Sequence, residues 1–341
     1  MPVIYPSRFQ KERDALDASD LKVVVLIPCF NEAAAIGGVV RDFRKSLPEA
    51  EIYVYDNNST DDTARVAAEA GAIVRFEPRQ GKGHVVRRMF ADVEADIFVM
   101  VDGDDTYDAG AARKMVDTML HEGLDIVNGV RVPETGTAYR PGHAFGNKAL
   151  SGLVRTIFGR GTTDMLSGYR VFSRRFVKSF PMMSRGFEIE TELTIHALEL
   201  QMPVGEVAGR FKDRAAGSES KLRSIQDGMR ILGTIVRILR QERPLPVFGA
   251  AAALLALASL GLASPVVLEY LETGLVPRLP TAVLAASMMI LAFLMGVAGL
   301  ILDTVTRGRQ EAKRMHYMAV PGVLSELGMR RPAPGVALEK T

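Results

Sequence analysis

The chain has 341 residues, of which 48% are hydrophobic and 24% charged, a composition typical of a folded protein. A net charge of +2 and the absence of tryptophan argue against nucleic acid as a partner. The single cysteine, Cys29, excludes an intrachain disulfide and a cysteine metal cluster. The histidines lack the spacing of a metal-binding motif, and the charged N-terminus is not a secretory signal.

Predicted strands and helices alternate through the first half of the chain. Apolar runs predict strands at 22–29, 52–55, 72–76, 97–101 and 125–130, and helical spacing predicts helices at 31–47, 61–70, 83–93 and 115–122. Such alternation is typical of an α/β fold whose parallel sheet is flanked by helices. Further helices are expected near 146–158 and 190–200.

Polar residues follow several of these strands, at the edge of the sheet where α/β proteins bind ligands. Asn31, Glu32, Asp56 and Asp102 fall at strand carboxyl ends, so we expect them to line one crevice. In an extended chain Asp102 and Asp104 point the same way and could share Mg²⁺ or Mn²⁺. A solvated acidic turn is the alternative.

Two other nucleotide-binding classes fit the sequence less well. A strand ending in aspartate also occurs in phosphate-loop ATPases, but the chain has no G-x-x-x-x-G-K-[ST] motif. A dinucleotide fingerprint begins at Gly81-Lys82-Gly83, yet Val86 stands where its third glycine is required.

The second half contains segments suited to a membrane. Residues 222–243 form a predicted amphipathic helix, either packed on the domain or lying at a membrane interface. Residues 245–268 and 279–302 carry no charge, and a span needs about 20 apolar residues. Small residues on both segments would permit close packing or a homo-oligomer: Gly249, Ala250, Ala253, Gly296 and Gly299.

Charged residues around the two apolar segments predict their orientation. Arginines precede the first segment, basic residues from Arg307 to Arg314 follow the second, and Glu269 and Glu272 lie between them. By the positive-inside rule, we expect a two-span membrane protein with its catalytic domain and both termini in the cytoplasm.

Six short motifs occur along the first two thirds of the chain: Pro28-Cys29-Phe30-Asn31-Glu32, Asp56 to Asp61, Asp102-Gly103-Asp104, Asp164 to Arg170, Gly186 to Glu192 and Arg214 to Lys221. Together they resemble the inverting glycosyltransferases of family 2, which have the GT-A fold. The resemblance runs from about Val23 to Lys221 and is closest to the polyisoprenyl-phosphate branch that includes dolichyl-phosphate mannose synthase.

The resemblance implies a GT-A fold with a mixed, mostly parallel sheet, and it implies roles for individual residues. The nucleotide-sugar would contact Pro28, Phe30, Asn31, Glu32, Val54, Asp56, Lys82, Asp102, Gly103 and Asp104. Catalytic roles would fall to Asp104, Arg131, Arg214 and Lys221, and acceptor or sugar contacts to Lys148, Ser167, Gly168, Glu190 and Glu192. Glu190 and Glu192 could equally favour a helix N-terminus.

The resemblance also implies a metal site formed by two aspartates. Asp102 and Asp104 would hold the Mg²⁺ or Mn²⁺ ion on the diphosphate. The sequence departs from the family pattern at Thr106, where glutamine is usual, and by one extra residue between Arg214 and Lys221. The full ligand set is therefore open.

These observations predict five regions: an N-terminal extension (1–20), a catalytic domain (21–221), a juxtamembrane helix (222–243), a transmembrane hairpin (244–303) and a tail (304–341). The expected reaction is metal-dependent transfer of one sugar, with inversion, from a UDP- or GDP-hexose to a polyprenyl phosphate, either undecaprenyl or dolichyl, at the bilayer. An inactive membrane scaffold and a polysaccharide-type transferase remain alternatives. The latter usually carries a Q-x-x-R-W signature, which this chain lacks.

Overall fold

A computed structural model describes residues 21–133, 152, 163–181, 186, 188–212, 233, 240 and 243–325. The chain divides into two compact units, residues 1–227 with 313–341 and residues 228–312. The predicted N-terminal extension lies outside the described residues, as do nearly all of the expected helix near 146–158 and the amphipathic helix at 222–243.

The first unit is built on a seven-stranded sheet with the order β3-β2-β1-β4-β6-β5-β7. Its strands are β1 (Val23–Cys29), β2 (Glu51–Asp56), β3 (Ile73–Phe76), β4 (Ile97–Met100), β5 (Ile126–Pro133), β6 (Arg170–Ser173) and β7 (Val204–Phe211). Its helices are α1 (Ala33–Ser46), α2 (Thr63–Glu69), α3 (Lys82–Asp92), α4 (Ala111–Glu122), α5 (Arg174–Ser179) and α6 (Ile189–Glu199).

Strand β1 is an interior strand of the sheet, and both of its faces are apolar. Val23, Val25 and Ile27 join the core on one face, whereas Val24 and Leu26 join the core on the other. Burying one such side chain contributes roughly 1.5–3 kcal/mol. A continuous apolar run of this kind is typical of a parallel strand covered by helices on both sides.

The mixed, mostly parallel sheet implied by the resemblance is confirmed. Strands β1, β2, β3 and β4 are mutually parallel, and β7 is parallel to β5. Strand β6 runs antiparallel to both β4 and β5. The sequence analysis did not predict β6, because its four residues continue the motif that ends at Arg170, and it also missed α5 and β7.

The described part of the second unit consists of helix α7 (Pro244–Thr273) and most of helix α8 (Leu279–Ala319). The last turns of α8, from residue 313, belong to the first unit. Both helices are long and apolar enough to cross a membrane, by length and composition alone. Unlike the core helices of a soluble protein, they expose large apolar side chains such as Leu254 and Phe293.

Contacts between α7 and α8 confirm part of the predicted close packing. The Ser259 hydroxyl donates a hydrogen bond of 2.7 Å to the carbonyl of Ala285. A Cβ atom added at Gly299 would lie only 2.9 Å from the Cβ atom of Phe248, whereas Gly249 and Gly296 face open space. Of these three glycines, only Gly299 permits a close approach.

Candidate active site

The carboxyl ends of β1, β2 and β4 meet at the point where the strand order changes direction. Cys29 at the end of β1 is in register with Asp56 at the end of β2. On the other side of β1, the N–H of Val101 donates to the carbonyl of Leu26, which places Asp102 just beyond the end of β4. Such a switch point is where open α/β sheets bind ligands.

The loops after β1 and β2 are joined by side-chain hydrogen bonds. The N–H of Asn31 donates to the Ser59 hydroxyl at 2.9 Å, and the N–H of Glu32 donates to the Thr63 hydroxyl at 2.8 Å. The side-chain Oδ1 atom of Asn31 in turn accepts from the N–H of Thr60 at 2.8 Å. Asn31 has a φ of 53°, a left-handed conformation that asparagine tolerates better than most residues.

Asp56 presents a buried carboxylate to this crevice. It is 4% exposed, and its Oδ2 atom accepts from the N–H of Ser59 at 3.1 Å. Its Oδ1 atom has no hydrogen-bond partner among the residues that the structure describes. A buried acceptor of this kind is costly unless another group binds to it, so Asp56 can receive an N–H donor from a ligand.

Asn57 fixes the loop that leads into α3, a role that the sequence analysis did not predict. Its side-chain amide donates to the carbonyls of Glu77 at 2.9 Å and Arg79 at 2.7 Å, and its carbonyl oxygen accepts from the N–H of Gly81 at 2.7 Å. These bonds hold the start of α3, and therefore Lys82, beside the crevice.

Lys82 bridges two acids that are far apart in the sequence. Its ammonium group forms ion pairs with Asp102 and, at 2.5 Å, with Glu190 near the start of α6. Burial alone would lower the pKa of Lys82, but the adjacent charges of Asp102 and Glu190 outweigh it and raise that pKa. Lys82 therefore remains a cation inside the site.

Asp102 and Asp104 have different surroundings. A Cβ atom added at Gly168 would lie 2.6 Å from the carboxylate carbon of Asp102, so this glycine provides the space for that carboxylate. Asp104 is 5% exposed, and its Oδ1 atom accepts from the Thr106 hydroxyl at 2.6 Å. Thr106 thus orients Asp104, which gives a structural role to the residue that departs from the family pattern.

Gly103 packs against the core. A Cβ atom at this position would lie 2.5 Å from the sulfur of Cys29, so the glycine permits the turn to pack on β1. Val54, another residue implied to contact the nucleotide, has a fully buried side chain in the core. Pro28 and Phe30 are partly exposed at the end of β1.

Arg131, near the end of β5, is held by a buried carboxylate. Its Nε atom donates to Asp164 Oδ2 and its Nη2 atom to Asp164 Oδ1, both at 2.7 Å. The guanidinium carbon also lies 5.5 Å from the centre of the Phe211 ring, within the range of a cation–π contact. Asp164 and Phe211 therefore fix the plane of this guanidinium group.

The turn before β6 is braced by a buried arginine. Arg170 is 1% exposed and donates to the carbonyls of Ser167 at 2.9 Å and Met165 at 2.6 Å, and to the Thr194 hydroxyl at 2.9 Å. The Ser167 hydroxyl donates to the carbonyl of Gly129 at 2.6 Å. Ser167 and Arg170 thus hold the shape of the turn, and the motif alone did not predict this brace.

The predicted site residues fall into three groups. Around the crevice the structure brings together the residues of the β1, β2 and β4 ends with Lys82, Gly168 and Glu190. Glu192, in the first turn of α6, is partly exposed, and its N–H donates to the carbonyl of Glu188 at 3.0 Å. Lys148, Arg214 and Lys221 lie outside the described residues.

A divalent cation fits the two aspartates when the substrate supplies the other oxygens. Among the described residues no group of three or more His, Cys, Asp or Glu side chains could hold a metal ion by itself. Magnesium, however, is commonly held by one or two carboxylates together with substrate phosphates. Asp102 and Asp104 provide two carboxylates of this kind.

Comparison with known proteins identifies the class of this site. The family model for glycosyl transferase family 2 matches residues 24–180. Glycosyltransferase AglJ of Haloferax volcanii is 35% identical over 254 residues, which cover 73% of this chain and 82% of that protein. The chain is a glycosyltransferase and belongs to glycosyl transferase family 2.

Two further similarities add detail. A dolichyl-phosphate hexose transferase of Haloferax volcanii is 28% identical over 222 residues, which cover 65% of this chain and 95% of that protein. The fold is similar to that of a crystal structure of glucosyl-3-phosphoglycerate synthase from Mycobacterium tuberculosis in complex with Mn²⁺, UDP and glucosyl-3-phosphoglycerate. That structure has a TM-score of 0.52 and 20% identity, and the match covers 70% of this chain and 85% of the other.

Proposed function

We propose that this enzyme transfers one hexose, with inversion, from a UDP- or GDP-sugar to a polyprenyl phosphate at the cytoplasmic face of a membrane. The observation that carries the proposal is the crevice at the switch point. There the unpartnered Oδ1 atom of Asp56 at the end of β2 lies on the other side of β1 from the carboxylates that follow β4, two strands away. A nucleoside diphosphate has complementary parts: base N–H groups and, bridged by a cation, phosphate oxygens.

The residues of the crevice meet the electrostatic demands of this reaction. The acceptor phosphate is already anionic near neutral pH, so the reaction needs no dedicated general base. A divalent cation bound by Asp102 and Asp104 would neutralise the charge that develops on the leaving nucleotide. Lys82, held by Glu190, adds a fixed positive charge on the same side.

Arg131 suits the acceptor side of the reaction. Asp164 and Phe211 hold its guanidinium plane, and a planar guanidinium is well adapted to phosphate oxygens. Arg214 and Lys221, which the resemblance assigns to the acceptor loop, would add further cations. In a single in-line displacement, an oxygen of the acceptor phosphate would attack the anomeric carbon as the bond from that carbon to the nucleoside diphosphate breaks. Such a step inverts the anomeric centre.

The membrane part of the proposal is supported by two helices of the second unit. Their length and hydropathy fit a pair of spans. Several basic residues flank them on the outer sides, whereas the stretch between them holds one basic residue, Arg278, beside Glu269 and Glu272. This pattern favours cytoplasmic ends. A membrane anchor would hold the catalytic unit close to a lipid-linked acceptor. The similarity to a dolichyl-phosphate hexose transferase supports the same acceptor class.

The test is a donor screen with the purified full-length protein in detergent. UDP- and GDP-hexoses are offered with Mn²⁺ or Mg²⁺ and a short polyprenyl phosphate, and glycolipid is scored by mass spectrometry. We expect one donor to give product, EDTA to abolish it and Asp104→Ala to abolish it. The matched control is Asp42→Ala, which removes an exposed carboxylate of α1 and should leave activity unchanged.

Two results would contradict the proposal. Sugar release into water without glycolipid would indicate a hydrolase. The alternative of an inactive membrane scaffold would be favoured if no donor reacted and Asp104→Ala retained full function in cells.

A further inference from the structure

The end of α8 belongs to the same compact unit as the catalytic sheet, although the membrane helices separate the two in sequence. Residues from 313 onward fall in the first unit. Lys313, Tyr317 and Val320 are partly buried, whereas the residues between them are exposed. The four-residue spacing places Lys313 and Tyr317 on one face of α8, and Val320 lies just beyond the end of that helix, so this stretch has a packed face.

Tyr317 closes a polar cluster around a buried acid. Asp125 is 1% exposed and accepts hydrogen bonds from the Ser173 hydroxyl at 2.7 Å and from Arg175 at 3.0 and 2.7 Å. The Tyr317 hydroxyl donates to the same carboxylate at 2.6 Å, and the Arg175 guanidinium carbon lies 4.3 Å from the centre of the Tyr317 ring. A tyrosine from the far end of the chain therefore helps to satisfy an acid of the catalytic core.

Two further contacts anchor the same stretch. The Lys313 ammonium donates to Glu199 at 2.7 Å, and the Glu199 side chain is only 3% exposed. Val323 is 7% exposed and joins the apolar core on one face of the sheet. An ion pair with a buried carboxylate, a charge-assisted hydrogen bond and an apolar anchor are contacts of a specific interface.

The contacts of Asp125 with Ser173 and Tyr317 fall at the ends of β5 and β6 that lie away from the crevice. Asp125 immediately precedes β5, which carries Arg131 near its other end. Ser173 is the last residue of β6, and Arg170 is the first. Six residues of strand span roughly 20 Å, so the cluster at Asp125 holds one end of a rigid pair of strands whose other end carries the acceptor-side residues.

We propose that residues 313–323, the return segment, dock on their own catalytic unit and hold β5 and β6 in the position that acceptor transfer requires. The surface around Asp125, Arg175 and Glu199 is thus a binding site for the end of α8 and the residues that follow it. Its occupant is defined by complementary chemistry: a lysine for Glu199, a hydroxyl for Asp125 and a valine for the core. The role in transfer rests on the function proposed above, but the docking does not.

Hydrogen exchange of the full-length protein in nanodiscs tests the docking without any substrate. We expect amides of the return segment and of 170–180 to be protected, and Tyr317→Phe to speed their exchange about tenfold or more, because a hydrogen bond to a charged group is lost. Lys313→Gln should act in the same direction. The matched controls are Tyr270→Phe and Arg314→Gln, which alter exposed residues and should leave exchange at these amides unchanged.

Rapid exchange of the return segment in the unaltered protein would overturn the docking, and so would equal effects of Tyr317→Phe and Tyr270→Phe. Steady-state kinetics test the role in transfer. We expect Tyr317→Phe to lower kcat/KM for polyprenyl phosphate several-fold while KM for the nucleotide-sugar stays unchanged. Equal losses for both substrates would refute the acceptor-side role. If no variant and no donor gives glycolipid, the proposed function fails while the exchange result still decides the docking.

Discussion

Replacing Gly168 by alanine would displace one carboxylate of the proposed metal site. The added Cβ atom would lie 2.6 Å from the carboxylate carbon of Asp102 and 2.9 Å from its Oδ1 atom, with Oδ2 closer still. Gly168 is not among the described residues with positive φ, so alanine fits the backbone. The obstacle is the carboxylate of a short side chain that is paired with Lys82, so Asp102 must weaken that ion pair to move aside.

The size of the effect follows from the displacement. Real Cβ atoms essentially never approach other heavy atoms within 3.0 Å, so the Asp102 carboxylate must shift by roughly 1 Å. A misplacement of about 1 Å at a reacting centre can cost about 10²-fold in rate. We therefore expect Gly168→Ala to lower kcat/KM about a hundredfold, with a loss of about 1–3 kcal/mol in the free energy of unfolding, the usual range for overpacking at a buried position.

The assay combines glycolipid formation with thermal unfolding of the same preparation. Gly38→Ala is the matched control, because a Cβ atom there meets nothing within 4 Å and alanine is favourable inside a helix. This control should be as active as the unaltered enzyme and slightly more stable. Activity of Gly168→Ala within about threefold of the unaltered enzyme would refute the placement of Asp102 in the reacting centre.

Three other outcomes are expected. Asp56→Ala should raise KM for the nucleotide-sugar about tenfold or more, because a buried hydrogen-bond acceptor for the base is lost, and KM for the lipid phosphate should change little. A KM for the nucleotide-sugar equal to that of the unaltered enzyme would contradict this role of Asp56. Dialysis against EDTA should abolish transfer, and Mn²⁺ or Mg²⁺ should restore it, whereas full activity of the stripped enzyme would exclude the metal. His196 should make stability depend on pH, because its burial lowers its pKa from 6.5 to about 3. The unfolded chain then binds a proton that the folded chain excludes, so stability is lost as the pH falls from about 6.5 towards about 3, by about 2 kcal/mol at about pH 5. Chemical denaturation of His196→Leu should show a loss between about pH 7 and about pH 5 that is smaller by this amount, and identical losses would contradict the assignment.

The strands and helices up to residue 122 could be predicted within a few residues, because each carries a strong local signal. β1 is a continuous apolar run, and α1 buries Ile36, Val39, Val40 and Phe43 at helical spacing. β6 could not be predicted in this way. Its direction and pairing depend on contacts with β4 and β5 that are distant in sequence.

The motifs predicted which loops approach the crevice, but not which atoms meet there. No local pattern indicates that Lys82 would bridge Asp102 and Glu190, since those residues are 20 and 108 positions away from it. Ser167 belongs to a recognised motif, yet its hydroxyl is used to hold the turn. A motif predicts proximity, whereas the partner of each polar atom depends on the tertiary structure.

The ion pairs that Lys82 forms with Asp102 and Glu190 also affect how the protein folds. Two carboxylates brought together without a counter-ion would repel each other and oppose folding. Because the chain supplies its own ammonium group between Asp102 and Glu190, newly made protein can complete this region without waiting for a divalent ion. With the metal requirement proposed above, a shortage of the ion would leave the enzyme inactive but folded, and activity would return when the ion is supplied.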